Sequence, residues 1–269
     1  MTILDGPLGT ELLARGVPTP VPSWSAGALE VAPQVVQAIH RDYARAGATV
    51  HTANTFRTRP RQVGARWETL TRQAVALARA AVPSDQRVAG SIAPLEDCYR
   101  PDLSPGDPGR EHAAMAAVLA AAGVDLLLCE TFPHVGEGLA AAAAAVSTGV
   151  ETWMAFTAGP DADLLTPRQV GEAARAAVDL GVRAVMVNCV PAAHTLAYVK
   201  ELARLGVPFG AYANAGAIDA RMGWTAVPDA PARYLACAQS WVDEGATLVG
   251  GCCGTGPLHI AALSAAWRG

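Results

Sequence analysis

The sequence predicts a (β/α)8 TIM barrel, one domain over residues 1–269, and three observations point to it. Short runs rich in β-branched and other apolar residues alternate eight times with longer Ala/Leu/Arg stretches. That alternation is the pattern of parallel strands joined by crossover helices. The length is about what eight such units require. The turn after the first run, Asp5-Gly6-Pro7-Leu8-Gly9-Thr10, lacks the G-x-G-x-x-G spacing of a doubly wound open sheet. No residue-level repeat of fixed period argues for a solenoid.

The first run, Thr2–Leu4, ends at Asp5-Gly6, and a connection containing Pro18, Pro20 and Pro22 follows. A helix is expected over Pro33–Ala46, with proline at its first position and Gly47 as its stop. The second run, Thr49–Thr52, leads into Ala53-Asn54-Thr55-Phe56, then a helix over 67–81. The third, Arg87–Ser91, ends at Ile92-Ala93-Pro94. Residues 96–109, rich in Pro, Asp and Gly, read as a long loop before a helix stopped by Gly123. The fourth run, Asp125–Cys129, ends at Glu130-Thr131-Phe132. The Ala-rich stretch to Ser147 reads as helix, since alanine is the best helix former. The fifth run is Thr152–Thr157, and its helix, 166–180, starts with Thr166 as N-cap and Pro167 as first helical residue. The sixth, Ala184–Val187, ends at Asn188-Cys189 before a helix over 192–205. The seventh, Pro208–Tyr212, ends at Ala213-Asn214-Ala215-Gly216. A Pro/Asp loop and a helix to Asp243 precede the eighth strand, which ends in Gly250-Gly251-Cys252-Cys253, and a last short helix follows.

A net charge of -4 with 16% charged residues leaves no basic patch, so nucleic acid is not an expected partner. Asp5 stands where a signal peptide carries its apolar core. The Ala-rich stretches are broken short of a spanning length, so no membrane association is expected. These features predict a soluble, cytoplasmic protein, whose six cysteines serve as thiols or ligands.

In such a barrel the residues following each strand gather at one mouth. Here these are Asp5, Asn54, Glu130, Asn188, Cys189, Asn214, Cys252 and Cys253. Singly, each has a plain reading: Asp5-Gly6 is a common turn pair, and the asparagines suit loop caps. Cys252 and Cys253 lie between glycine pairs that permit a sharp bend. With Cys189 they supply three thiolates, the shell of a zinc site that keeps a fourth position open. Thiolates neutralise the zinc charge and make it poor at activating water. A substrate thiol in the fourth position loses its proton and stays nucleophilic. The implied reaction is alkylation at sulfur, with Asp5 and Glu130 holding an ammonium group on the same substrate.

These motifs resemble the homocysteine S-methyltransferase family. The resemblance rests on Asp5-Gly6-x-x-Gly9-Thr10-Glu11-Leu12, Ala53-Asn54-Thr55-Phe56, Leu128-Cys129-Glu130-Thr131-Phe132, Val187-Asn188-Cys189, Asn214-Ala215-Gly216 and Gly250–Pro257 with His259-Ile260. It implies a Zn2+ site of Cys189, Cys252 and Cys253 in a barrel that methylates homocysteine to methionine. It also implies substrate contacts at Asp5, Gly6, Asn54, Thr55, Glu130, Asn188 and Asn214. Three positions depart from the family pattern: Pro7, Ala213 and Ala217.

The donor is argued by exclusion. Methyl-folate relatives work through cobalamin in further domains, so a corrinoid protein would have to act as a partner. Sulfonium donors such as S-methylmethionine need only positioning. Betaine would call on an aromatic cage from Trp153, Tyr212 or Trp224, residues that core packing explains as well. Two other readings compete: a zinc hydrolase or lyase, and a zinc-binding module or split methionine synthase subunit without activity alone. Oligomeric state and the acceptance of selenocysteine stay open.

Overall fold

The computed structural model describes residues 1–215, 217–218, 224–225 and 230–267, the four residues between 216 and 229 as backbone alone. Gly216 and the side chains of Ala217 and Trp224, named above, therefore lie outside the described residues. Eight parallel strands form one sheet: β1 (Thr2–Ile3), β2 (Val50–Thr52), β3 (Arg87–Ile92), β4 (Leu126–Phe132), β5 (Thr152–Phe156), β6 (Ala184–Pro191), β7 (Phe209–Asn214) and β8 (Leu248–Gly251). The order is β1-β8-β7-β6-β5-β4-β3-β2, and a bridge between Leu4 and Val50 joins its two edges. The Asp5 amide donates to Val50 O at 3.0 Å across that seam. The chain is thus a single-domain (β/α)8 barrel.

Alternation along the strands separates two cores. Leu4, Val50, Ala89, Leu126, Leu128, Ala155, Met186 and Leu248 fill the barrel. Ile3, Val88, Leu127, Met154, Val185, Val187 and Val249 face the surrounding helices. β7 and β8 approach closely at Gly210: a Cβ there would stand 1.7 Å from Leu248 O. The outer helices include Pro33–Ala46, Trp67–Ala81, Gly109–Ala121, Val135–Val146, Pro167–Asp179, Leu196–Leu202, Ala230–Asp243 and Pro257–Trp267. Thr166 and Gln169 close a reciprocal capping box at the start of the fifth of these. The connection read from its prolines holds two α-helices of its own, Leu8–Ala14 and Ala28–Val31, and a 3-10 helix, Trp24–Gly27. A small antiparallel ribbon pairs Ala217–Ile218 with Trp224–Thr225 after β7. Among the described residues no helix is long and apolar enough to cross a membrane.

Candidate metal and substrate site

Cys189 should by strict alternation face the helices alongside Val185 and Val187. It belongs instead to the barrel interior. The register of β6 against β7 shifts between Asn188 and Pro191, and Cys189 takes a left-handed backbone with φ 52. A bulge of this kind inserts a residue and re-aims the following side chain. β4 carries a matching shift between Cys129 and Phe132, with Thr131 at φ 61. Left-handed backbone at a non-glycine costs about 1–2 kcal/mol per residue, so something must hold both bulges. Asn188 does. Its Oδ1 accepts from the Thr131 amide at 3.1 Å, and its Nδ2 donates to Thr131 Oγ1 at 2.7 Å.

The eighth strand delivers the other two thiols. The Cys252 amide donates to Ala213 O at 2.9 Å, and the Ala215 amide to Cys253 O at 2.9 Å, so the turn is stitched to β7. Thr255 Oγ1 donates to Cys252 O at 2.8 Å. Gly251 lies so close to it that a Cβ there would meet Thr255 Oγ1 at 2.1 Å. The sulfurs of Cys189, Cys252 and Cys253 all lie within 4.8 Å of one another. Cys189 and Cys252 are paired as a disulfide, and the Cys253 thiol is free. Burial, with Cys98 and Glu130 nearby, pushes that thiol up to about 12. With the Cys189–Cys252 pair reduced, three thiolates on one ion at about 2.3 Å would stand about 3.8 Å apart, within the 4.8 Å that bounds the three sulfurs. The donor set fits a soft or borderline metal ion.

Two carboxylates are buried at these strand ends, Asp5 at 4% and Glu130 at 8% exposure, and Glu130 is the one that acts on the Cys253 thiol. Glu130 is held from two strands: Ser91 Oγ donates to its Oε1 at 2.5 Å and Tyr212 OH to its Oε2 at 3.0 Å. Burial pushes the Glu130 carboxyl above its usual range against those two donors. Burial also raises Asp5 well above its usual range, with Glu130 adding repulsion and the Thr52 amide opposing at 2.9 Å. The other expected contacts divide into two kinds. Asn54 Nδ2 donates to Ser25 O at 2.8 Å. Thr55 Oγ1 accepts from the Ser91 amide and donates to Ser91 O, each at 2.9 Å. Both side chains therefore shape the mouth. Asn214 is different: its Oδ1 and Nδ2 are buried without a partner among the described residues. Gly6 packs on Tyr43, whose OH a Cβ would meet at 2.5 Å.

The family model described as homocysteine S-methyltransferase matches residues 2–267. The chain belongs to the homocysteine S-methyltransferase family. It is 32% identical to homocysteine S-methyltransferase of Escherichia coli (strain K12), across 98% of this chain and 94% of that protein. The metallated form of the Escherichia coli homocysteine methyltransferase MmuM superposes with a TM-score of 0.81 at 30% identity, covering 99% of this chain and 96% of that one. A selenocysteine Se-methyltransferase of Brassica oleracea var. italica is 26% identical across 97% of this chain and 87% of its own.

Membership in this methyltransferase family makes the chain an enzyme of that class. Within this member, the aromatic candidates separate by position. Trp153 lies near the start of β5, pairing with Ala184 at the other end of the barrel, where its Nε1 donates to Glu151 Oε1 at 2.7 Å. It cannot cage a donor at the cysteine mouth. Tyr212 is at the mouth and orients Glu130. Little in the sequence marks Ser91, which closes the other side of Glu130. Its place next to the last residue of β3 is the available signal.

Proposed function

We propose that this chain moves a methyl group from a sulfonium donor, S-methylmethionine ahead of S-adenosylmethionine, to the thiol of homocysteine. Zinc held by Cys189, Cys252 and Cys253 is part of the reading. The observation that carries it is the meeting of three sulfurs within 4.8 Å with two buried carboxylates at one barrel mouth. When bound, zinc keeps the substrate thiol ionised at neutral pH.

The protein's own groups bind and orient. Each Glu130 oxygen accepts one hydroxyl hydrogen bond, which leaves a further lone pair on each for an ammonium. Asp5 lies near enough to repel Glu130, and one ammonium between them relieves that repulsion. Asn214, whose amide has no partner among the described residues, offers Nδ2 to the substrate carboxylate. Asn54 and Thr55 present the loop after β2, and Asn188 sets the bulge that carries Cys189. Methyl transfer from a sulfonium to a thiolate moves no proton, so none of these residues acts as general base. The attacking sulfur has only to meet the methyl carbon in line at about 3–3.5 Å.

The test is methionine formation by reduced, zinc-loaded protein from homocysteine and each sulfonium, without cobalamin. Turnover is expected with S-methylmethionine. Failure with both sulfoniums, together with turnover on adding a methyl-corrinoid protein, would replace this reading by the split-synthase one.

A further inference from the structure

A second convergent set lies between the barrel wall and the helix Pro33–Ala46. Asp5 follows β1, His51 is on β2 between the inward-facing Val50 and Thr52, and His40 projects from the helix. One ligand atom of each lies within 4.8 Å of the other two. The histidines are 0% exposed and Asp5 is 4% exposed. His40 Nδ1 stands 4.0 Å from Asp5 Oδ2, which also accepts from the Thr52 amide.

The hydrogen bonding here is incomplete in one particular way. Both ring nitrogens of His40 and Nδ1 of His51 have no partner among the described residues, although buried polar atoms ordinarily have one. His51 Nε2 lies 2.7 Å from Gln86 Oε1. A carboxamide oxygen only accepts, so Nε2 carries the proton and Nδ1 holds a lone pair. Histidine ligands to metals are arranged this way, with the outer N–H tied to an oxygen that fixes the tautomer. Asp5 Oδ2 and His51 Nδ1 are thus two acceptors facing one neutral imidazole, which has a single proton to give. A cation satisfies all three together.

We propose that Asp5, His40 and His51 form a second metal site, separate from the thiols, for a first-row divalent cation. Two imidazoles and a carboxylate suit zinc, iron(II) or cobalt(II) rather than magnesium or calcium. Ligand bonds of about 2.0–2.2 Å place the donors about 3.4 Å apart, so each moves inward by about 1.4 Å or less. The ion ties the helix Pro33–Ala46 to β1 and β2 and fixes the carboxylate at the base of the mouth. The proposal does not depend on the identity of the methyl donor or acceptor.

The experiment uses cobalt(II) as the probe on the full chain carrying C189S, C252S and C253S. After chelation, reloading and dialysis, one equivalent of cobalt is expected, without the sulfur-to-metal charge-transfer absorption of a thiolate site. In that background Gln86→Ala should weaken binding about 10–100-fold, and His51→Ala should abolish it. A triple-serine protein with wild-type circular dichroism that retains no cobalt would overturn the proposal, and so would retention unchanged by His51→Ala. If the triple variant does not fold, reduced wild-type protein decides. Two equivalents, one of them free of sulfur absorption, support the site, whereas one equivalent refutes it.

Discussion

Asn188 grips Thr131 from both ends of its side-chain amide, joining the bulge of β6 to that of β4. The two bulges flank the residues the mouth depends on, Glu130 before Thr131 and Cys189 after Asn188. One buried amide therefore sets the spacing of a carboxylate against a sulfur.

Replacing Asn188 with alanine should leave the Thr131 amide and hydroxyl unsatisfied inside the barrel. Each such group costs about 1–3 kcal/mol, so urea denaturation should show a loss of about 2–6 kcal/mol. Metal affinity should fall with it as Cys189 loses its left-handed anchor. A stable variant with undiminished metal binding would show that the grip is incidental.

Cys252→Ala should remove the metal of the thiol site and abolish methyl transfer, since two thiols do not complete a tetrahedral set. Elemental analysis of the reduced protein, compared with Cys237→Ala, provides the check. Cys237 lies on the outer helix Ala230–Asp243, and its loss should leave the metal content as it was.

Glu130→Gln should raise the homocysteine KM with a smaller change in kcat, because the residue is assigned to recognition rather than proton transfer. Steady-state kinetics at saturating donor read both parameters. A collapse of kcat at constant KM is the result that would reassign Glu130 to the chemical step.

Glu130 also gives stability a pH slope whose sign follows from its burial. The folded state holds the carboxyl proton more tightly than the unfolded chain, where carboxyls titrate near about 4.3. The stabilisation is full below that value and is lost as pH rises through the elevated folded one. The metal-free protein should therefore melt at lower temperature as pH increases from about 4.3 toward neutrality. Glu130→Gln should flatten part of that decline, leaving the share due to Asp5, which is raised in the same sense. Melting curves for the two proteins across that range test it, and parallel profiles would contradict it.

Much of this could be read beforehand because it is local. Pro33–Ala46 and Trp67–Ala81 end where proline, glycine and composition place their ends. The cysteines, carboxylates and asparagines were found because strand ends share one mouth. What stayed hidden depends on partners distant in sequence. The inward turn of Cys189 follows from the register of β6 on β7, which no spacing within β6 encodes. Asn54, Thr55 and Asn188 had the right chemistry for substrate, but whether their polar atoms are already taken depends on Ser25, Ser91 and Thr131. Leu8–Ala14 was masked by the prolines that follow it. His40 and His51 are 11 positions apart and look like ordinary residues of a helix and a strand until β1 brings Asp5 between them.

The pairing of Thr2 with Leu248 has a temporal consequence. The ring cannot shut until the strand carrying the cysteine pair has been synthesised, because β1 waits for β8 as its neighbour. A growing chain that has emerged only as far as Asp243 holds Cys189 without its companions and a sheet with an open edge. Contacts this far apart in sequence form slowly. Sealing of the barrel and the meeting of the three sulfurs are therefore one late event, and no partly made chain on the ribosome brings them together.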